Sequence, residues 1–473
     1  MTDLNMPSRT HNSLPLWARA LDALCIALFV WGFIIRVGGG FRVHVGDVRL
    51  SFLSWLPLIA MGFVLLIARH WWWPRPSVLG RIVGAYRRLT SSVSWQETWG
   101  IFVATRVAVL VVGLLAVYTI RFPEPPEFRV SDNEALNLPA RWDAGWYLGI
   151  AYNGYRWNPN REERHQNIAF FPGYPLAIYL VGRFFGGSIT ALVTAAVLLS
   201  HAAFLWALLY LYRLSRDLCG DAHRARDAVL LIATYPFAVF YGAIYTESLF
   251  LLGSVGAIYE FNERRWGRVA AWGVMVGLTR PNGFMLALTL AAFGLVQGIW
   301  TRRDISMRSR IAALAAVASP VMGVVLFSMY IGALTGNPLQ WSAQHAAWGR
   351  TFTGATPFVR SAEFAAEHGF EHYAQNSPFE LINAIAAVFA IVVTIPVGWR
   401  LGIPYAVFIL SNIVPPLLVG GFLSIGRVTA TMFPIFVWLA TRRTPRTTVF
   451  VAIGFAMLQA LAAALFYTWR PLV

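Results

Sequence analysis

Long apolar segments recur along this chain of 473 residues and constrain its fold more than any other feature. Residues 18–35, 52–68, 311–331 and 449–467 are examples. A helix needs roughly 20 residues to cross the hydrocarbon core of a bilayer, and these segments approach that length. Only 13% of the residues are charged, whereas about 25% are charged in a typical soluble domain. The pattern predicts an all-α polytopic membrane protein with about 13 transmembrane helices.

The basic residues, all of which are arginine, give the chain a formal net charge of +16 and lie mostly between the apolar segments. Arginine-rich loops are retained on the cytoplasmic side of a membrane. The loops expected there comprise residues 69–88, 213–226, 263–268, 302–310 and 442–446. Two large loops, residues 121–167 and 332–378, are then expected outside. Because the arginines are spread over many loops instead of one face, we exclude nucleic acid as a partner.

Three local features lead to structural predictions. Residues 38–50 alternate valine with polar residues and are expected to form a small hairpin. Residues 169–186 are apolar but contain Pro172, Pro175 and Arg183, so we expect a helix that lies at the outer membrane surface or dips into it. Arg106 lies within the third span and is expected to form a buried ion pair or to extend toward water.

A polar and aromatic cluster, RWDAGWY at residues 141–147, interrupts the apolar pattern in the first large outer loop. Asp143 within it is the strongest candidate for catalysis, because a carboxylate is costly to keep near hydrocarbon. Such a side chain can act as a general base toward a hydroxyl group. The structural alternative is that Asp143 caps a helix over residues 144–152.

Arg280 and Arg427 each lie at the predicted outer end of a span, and Glu247 lies in a turn too short to form a solvated loop. A guanidinium is a fork-shaped donor that suits phosphate oxygens. Two of them at the predicted depth of Asp143 indicate a phosphate-bearing lipid as ligand. The alternatives are that the arginines extend toward the water layer and that Glu247 is an ordinary turn or cap residue.

A metal motif must also be weighed, because HGFEH at residues 368–372 matches the pattern of inverted zincins. Gly369 weakens the helix that this motif requires, and no third ligand is evident in the sequence. We therefore favour a solvated amphipathic helix here and predict no metal-binding residues.

Five blocks of sequence resemble, in the same order, those of the phosphatidylinositol-glycan class V (PIG-V) mannosyltransferase family, which belongs to the glycosyltransferase C superfamily. The blocks are RWDAGWY with IAYNGY, QNIAFFPGYP, YPF with YTESLF, TRPNG, and GR through FP, within residues 141–155, 166–175, 235–250, 279–283 and 426–434.

The resemblance implies a membrane enzyme that moves a sugar, expected to be mannose, from a polyprenyl-phosphate donor to a lipid or glycan hydroxyl. In this superfamily the first large outer loop bears the catalytic aspartate, which corresponds to Asp143. The implied reaction is a single displacement with inversion, in which Arg280 and Arg427 hold the leaving phosphate and Glu247 supports the pocket. No cofactor is implied, and a requirement for a divalent metal is left open. The predicted substrate-binding residues are Arg141, Trp142, Tyr147, Gln166, Asn167, Glu247, Arg280, Asn282 and Arg427.

The resemblance also predicts the domain organisation. Residues 1–97 are expected to be an N-terminal extension of two spans and a cytoplasmic basic loop, and residues 98–473 a glycosyltransferase C-like membrane domain. Similarity to prokaryotic relatives leads us to expect a prokaryotic cell membrane, with the active site on its extracytoplasmic side. The main alternative function is a lipid or glycolipid transporter or flippase, although the sequence lacks the repeated halves with broken helices that transporters often contain. An enzyme of the same superfamily with a different lipid-linked sugar is left open.

Overall fold

The computed structural model describes residues 15–38, 41–45, 48–52, 54–72, 78–124, 128–161, 164–442 and 444–472. Over these residues it is helical apart from one pair of antiparallel strands. The chain divides into two compact units, Met1–Ser92 with Arg183–Gly186 and Val93–Gly182 with Gly187–Val473. The division after residue 97 that we expect from the sequence stays a prediction.

The first unit contains the predicted hairpin. Its elements are α1 (Leu16–Gly38), β1 (Phe41–Val45), β2 (Val48–Phe52), α2 (Leu56–Trp72) and α3 (Val78–Thr90). Val43 lies opposite Leu50 in the antiparallel register, which confirms the hairpin expected over residues 38–50. Arg69 Nε of α2 lies 3.0 Å from Asp22 Oδ1 of α1. Both side chains are buried, and a buried charge of this kind is normally found paired.

The described residues of the second unit contain the remaining eighteen helices, apart from the last two residues of α7, which belong to the first unit, with short 3-10 segments between some of them. They are α4 (Val93–Thr119), α5 (Glu134–Asn137), α6 (Ala144–Asn153), α7 (Gly173–Phe184), α8 (Ile189–Cys219), α9 (Ala222–Thr234), α10 (Glu247–Asn262), α11 (Trp266–Thr279), α12 (Leu286–Val296), α13 (Met307–Thr335), α14 (Gln340–Gln344), α15 (Thr356–His368), α16 (Phe370–Asn376), α17 (Pro378–Arg400), α18 (Ile403–Gly420), α19 (Ile425–Ala430), α20 (Phe433–Arg442) and α21 (Pro445–Tyr467).

Seven helices in the described part of the chain are long and apolar enough to cross a membrane, and three shorter helices are also apolar. A polytopic membrane protein is therefore supported, whereas the count of 13 spans is not confirmed. The difference arises because several segments that we count as spans form shorter helices. Examples are α11 and α12, with 14 and 11 residues, and α20, with 10 residues. Such helices end before they reach the length of a bilayer.

The break after α9 shows how an interrupted helix is stabilised. Pro236 follows Tyr235, and proline cannot continue the hydrogen-bonding pattern of a preceding helix. Arg106 donates to the carbonyl groups of Ala233 and Ala238, at 3.0 and 2.7 Å. Gln459 donates to the carbonyl of Ala233 as well, at 3.1 Å. Arg106 therefore forms neither the ion pair nor the extension toward water that we expect, and it binds backbone carbonyl groups instead. These hydrogen bonds satisfy carbonyl groups that the break in the helix leaves without a backbone partner.

Helix α7 lies within the segment 169–186 and has 12 residues, which are too few to cross a bilayer. This length agrees with the prediction that the segment does not span. Its first residue, Gly173, approaches α11 closely, since a Cβ there would lie 2.9 Å from the carbonyl oxygen of Leu278. Only glycine fits such an approach of two backbones without a shift.

Candidate active site

Three interruptions between helices bring charged residues from distant parts of the chain to one place. Glu247 begins α10, Arg280 directly follows α11, and Arg427 lies in the short helix α19. Asp143 comes from a fourth segment and directly precedes α6. We call these four residues the charged cluster. Its members are predicted together from the sequence, and the structure brings all four into contact.

Ion pairs connect the charged cluster. Arg427 donates from Nε to Glu247 Oε1 and from Nη1 to Asp143 Oδ2, each at 2.9 Å. Arg280 Nη2 lies 3.3 Å from the same oxygen of Glu247. The Glu247 side chain is completely buried, whereas 31% of the Asp143 side chain is exposed. The network therefore leads from a buried carboxylate, through Arg427, to a partly exposed carboxylate.

Asp143 does not cap α6 through its side chain. Its Oδ2 accepts from Arg427 instead, and its Oδ1 accepts no hydrogen bond from the described residues. The backbone N–H of Asp143 donates to the Tyr245 hydroxyl at 3.1 Å. Trp142 precedes it with φ at 52°, a conformation that is uncommon for residues other than glycine and that often occurs at functional sites. The tertiary contacts thus favour the functional interpretation of Asp143 over the capping alternative.

Aromatic rings form the walls of the charged cluster. The guanidinium of Arg427 lies 4.8 Å from the ring centroid of Tyr245 and 5.4 Å from that of Phe240. Arg280 lies 5.6 Å from the Phe250 ring. Tyr147 packs edge-on against Tyr245 at 6.2 Å. Burial and the nearby charge of Asp143 raise the pKa of Tyr147, so its hydroxyl is neutral at neutral pH.

Two of the predicted substrate-binding residues lie beside Asp143 but outside the ion pairs. Arg141 is fully buried, and it donates to the Tyr467 carbonyl at 3.0 Å and to Glu134 at 2.9 Å. Trp142 packs against Trp469, with ring centroids 5.1 Å apart. These contacts hold the chain on either side of the turn that presents Asp143. A direct contact of either residue with substrate stays a prediction.

Gln166 and Asn167 use their amides to fold the first outer loop. Gln166 donates to the carbonyl of Asn158 and Asn167 donates to that of Gly154, each at 3.1 Å. Both also line a cleft of about 420 Å³ between this loop and α6, together with Trp146 and several polar residues. Asn282 lies two residues after Arg280 and donates to Asn412 at 2.9 Å. The substrate contacts predicted for these three amides stay predictions.

The sequence-based prediction does not include Arg350, which lies in the second large outer loop. A Cβ on Gly420, the last residue of α18, would lie 3.5 Å from both Cγ and Nη1 of Arg350. Burial lowers the pKa of Arg350 to about 10; the charge of Arg427 also lowers it, whereas Asp143 raises it. Arg350 therefore lies against the end of α18, the helix that precedes the segment of Arg427. No sequence signal singles it out, because Arg360 lies in the same loop and six further arginines lie in residues 121–167.

Among the described residues, no group of three or more histidine, cysteine, aspartate or glutamate side chains could hold a metal ion. The two carboxylates of the charged cluster are both bound to arginine. This arrangement suits an anionic ligand, because the guanidinium groups outnumber the carboxylates once Arg350 is included. The question of a divalent metal stays open.

Residues 124–334 match the model of the family described as mannosyltransferase (PIG-V). This segment carries the PIG-V mannosyltransferase pattern. The family resemblance that we infer from the sequence is thereby confirmed for the segment that contains Asp143, Glu247 and Arg280. Arg350 and Arg427 lie beyond it.

Curated relatives agree with this family. The chain is 26% identical over 232 residues to GPI mannosyltransferase 2 of Drosophila pseudoobscura pseudoobscura, covering 41% of this chain and 50% of that protein. It is 32% identical over 154 residues to human GPI alpha-1,6-mannosyltransferase 2, covering 31% of this chain and 29% of that protein. The chain thus spans about half or less of the length of these relatives. Because they are eukaryotic, they give no support to a prokaryotic membrane, and they do not favour the transporter alternative.

Among solved structures, the chain is similar to the apo oligosaccharyltransferase of Archaeoglobus fulgidus. It has a TM-score of 0.43 and 13% identity, and the match covers 77% of this chain and 56% of that chain. Similarity at this level supports no conclusion about the present site.

Proposed function

We propose that this protein is a membrane mannosyltransferase that moves mannose from a polyprenyl-phosphate donor to a hydroxyl group of a lipid or glycan, on the extracytoplasmic side. The observation that carries the proposal is the position of Asp143. Its Oδ2 is bound to Arg427, while its partly exposed side chain leaves Oδ1 available to a substrate. Sugar transfer to an alcohol requires a base for the acceptor hydroxyl and positive charge for the leaving phosphate. The Asp143 carboxylate suits the first role and the three guanidinium groups suit the second.

In the proposed reaction Asp143 Oδ1 accepts the proton of the acceptor hydroxyl. The acceptor oxygen forms a bond to the anomeric carbon while the bond from that carbon to the phosphate oxygen breaks. Polyprenyl phosphate leaves with the electron pair, and the configuration at the anomeric carbon inverts. A general base within hydrogen-bond reach contributes about 10²–10⁴-fold to such a rate.

The charge that develops on the leaving phosphate is stabilised by the guanidinium groups. Preorganised donors in a site of low polarity act on developing charge more strongly than donors in water. Phe240, Tyr245 and Phe250 lie against Arg280 and Arg427 and supply such surroundings. Glu247 bonds to both arginines and would fix their orientation.

The isoprenoid chain of the donor would occupy an apolar groove between α17 and α21. This groove has a volume of about 330 Å³, and its walls include Phe237, Ala386 and Ala462. Phe237 packs so closely on Gly426 that a Cβ at Gly426 would clash with its ring. One wall residue of the groove, Phe237, thus contacts the residue that precedes Arg427, so a lipid tail in the groove would place its phosphate near the charged cluster.

The acceptor would approach through the cleft beside α6. That cleft begins at Gly145 and Trp146, two and three residues after Asp143, and its other wall is the polar loop that contains Asn167. Amide and arginine side chains on this wall suit the hydroxyl groups of a sugar. Donor tail and acceptor thus come from different sides of the charged cluster.

Transfer from labelled polyprenyl-phosphate mannose tests the proposal directly. We expect Asp143→Asn to reduce the rate of transfer by about 10²–10⁴-fold, with unfolding temperature and donor binding nearly unchanged. Asp132→Asn is the matched control, because Asp132 lies exposed in the same outer loop. The proposal fails if Asp143→Asn transfers mannose at the rate of the control.

A further inference from the structure

We propose that Arg350 is the residue that binds the phosphate of the lipid-linked donor, and that Arg280 and Arg427 chiefly hold the two carboxylates of the charged cluster. The inference rests on the proposed function and deepens it, since it assigns the donor phosphate to the second outer loop. It differs from the family-based expectation that Arg280 and Arg427 hold this group.

One end of the segment 344–354 is held at the first outer loop. Gln344 donates to the carbonyl of Arg164 at 2.6 Å, and a ring nitrogen of His165 lies 2.8 Å from the carbonyl of Ala347. The ring centroid of Trp348 lies 5.8 Å from that of Trp146. Since Trp146 belongs to the helix that follows Asp143, these contacts place the segment beside the proposed base.

The other end of the segment is held at the end of α18. The backbone N–H groups of Thr353 and Gly354 both donate to the carbonyl of Leu418, at 3.0 Å. Arg350 lies between these two attachments, and Gly349 before it has φ at 67°, which turns the chain in a conformation that glycine adopts readily. The backbone of Arg350 is therefore positioned between the segment bearing Asp143 and the segment leading to Arg427.

The side chain of Arg350 reaches toward the charged cluster along Gly420. Its Cγ and Nη1 occupy space that a side chain at Gly420 would contact at 3.5 Å. Burial lowers the pKa of Arg350, the charges of Arg427 and Arg280 lower it further, and that of Asp143 raises it, which agrees with this direction of the side chain. Arg350 is half-buried, and its backbone is held between the segment that bears Asp143 and the end of α18.

The pairing of charges distinguishes Arg350 from the other two arginines. Arg427 is paired with Asp143 and Glu247, and Arg280 is paired with Glu247. Arg350 forms no ion pair or side-chain hydrogen bond with any residue that the structure describes. Three guanidinium groups and two carboxylates leave one positive charge uncompensated, and partial burial makes such a charge costly. A phosphodiester carries one negative charge and would compensate it.

The leaving group adds a second reason for this assignment. When the bond between the anomeric carbon and the phosphate oxygen breaks, the phosphate gains a further negative charge. A guanidinium that is already committed to a carboxylate has fewer free N–H groups to offer than one without a partner. Arg350 can therefore strengthen its contact as the reaction proceeds, which is the requirement for lowering a barrier.

Binding of farnesyl phosphate to the purified full-length protein tests the inference without relying on transfer. We expect Arg350→Ala to weaken this binding about tenfold or more, as for loss of a charged hydrogen bond, and Arg350→Lys to weaken it less, because lysine keeps the charge but loses the fork. Arg360→Ala is the matched control, since Arg360 is exposed in α15 of the same loop. Farnesol, which has the same chain without phosphate, should bind Arg350→Ala and the unchanged protein equally.

The outcomes separate this inference from the proposed function. If Arg350→Ala binds farnesyl phosphate as tightly as Arg360→Ala does, the inference is wrong, while an inactive Asp143→Asn would still support the transferase. An equal loss of farnesol and farnesyl phosphate would assign Arg350 a structural role and also overturn the inference. If the unchanged protein neither binds farnesyl phosphate nor transfers mannose, the proposed function itself falls. Should Arg350→Ala not fold, the binding of farnesyl phosphate by Arg350→Lys is compared with that by Arg360→Ala instead.

Discussion

Glu247 illustrates how a single residue organises the site. Its Oε1 forms ion pairs with both Arg280 and Arg427, although the three residues are far apart in the chain. A completely buried carboxylate is tolerated only where opposite charges surround it. Removing the charge would leave two buried guanidinium groups competing for a neutral acceptor. Glu247 is therefore a positioning residue whose loss should be seen in stability as well as in activity.

Glu247→Gln should lower the free energy of unfolding by about 3–5 kcal/mol, the usual cost of breaking a buried ion pair from one side. Unfolding in detergent micelles, followed by intrinsic fluorescence during denaturant titration, measures this change. Glu263→Gln is a suitable control, because Glu263 forms an exposed ion pair with Arg265 at 3.2 Å, and exposed pairs contribute about 0–1 kcal/mol. Equal effects of the two substitutions would show that Glu247 does not hold the arginines.

At the scale of elements, helices that stop before crossing the bilayer create the site. The breaks after α9 and α11 and the short helix α19 each bring polar backbone and side chains between the apolar helices. The breaks are stable because side chains such as Arg106 and Gln459 satisfy the freed carbonyl groups. The helices α17 and α21, which are long enough to cross a membrane, form the walls of the apolar groove. In the proposed function, the irregular segments carry the charged residues that act on the substrates, and the regular helices bind the lipid tail of the donor.

The groove between α17 and α21 should determine affinity for the length of the donor's isoprenoid chain. Ala462→Phe fills the groove, so we expect the KM for a long-chain donor to rise at least tenfold. Loss of about two buried methylene contacts, at roughly 0.8 kcal/mol each, is sufficient for this effect. The KM for a donor with a single short isoprenoid chain should change little, because such a chain does not reach the blocked region.

Ala456→Phe provides the control for the groove, because Ala456 is exposed on the same helix α21. A general loss of folding would affect short and long donors alike and would be visible in the unfolding temperature. If Ala462→Phe raises the KM equally for both donors while unfolding is unchanged, the isoprenoid chain lies elsewhere.

At the scale of the whole molecule, the distribution of arginine predicts the orientation in the membrane. Arg213 and Arg216 lie toward the end of α8, and Arg302 to Arg310 precede or begin α13. These ends are expected in the cytoplasm. The first and second outer loops, which contain Asp143 and Arg350, then lie together on the opposite side.

Cysteine labelling tests this orientation, because the sequence has only two cysteines. Cys25 is buried and Cys219 is half-buried at the end of α8. In sealed vesicles with the extracytoplasmic face outward, a membrane-impermeant maleimide should label Arg360→Cys in a Cys219→Ser background. Cys219 in the unchanged chain should be labelled only after the vesicles are permeabilised. Labelling of Cys219 in intact vesicles, without labelling at position 360, would invert the predicted orientation.

Much of the architecture is predictable from sequence because it depends on local properties. Apolar length predicts membrane helices, the alternation at residues 38–50 predicts the hairpin, and proline in residues 169–186 predicts a segment that does not span. The resemblance of the motifs within residues 141–434 selects Asp143, Glu247, Arg280 and Arg427, because the family's motifs lie in order along the chain. The span count is less predictable, since hydrophobicity does not reveal where a buried helix stops.

The sequence by itself therefore determined the class of protein, most of its elements and the identity of the charged cluster. Tertiary structure alone decided which charges meet: Asp143 pairs with Arg427, which lies 284 residues away, instead of capping its own helix. It also turned Arg141 toward Glu134 and placed Arg350 of the second outer loop against the end of α18. The physical reason is that helix formation and burial follow from neighbouring residues, whereas an ion pair depends on where separate helices end.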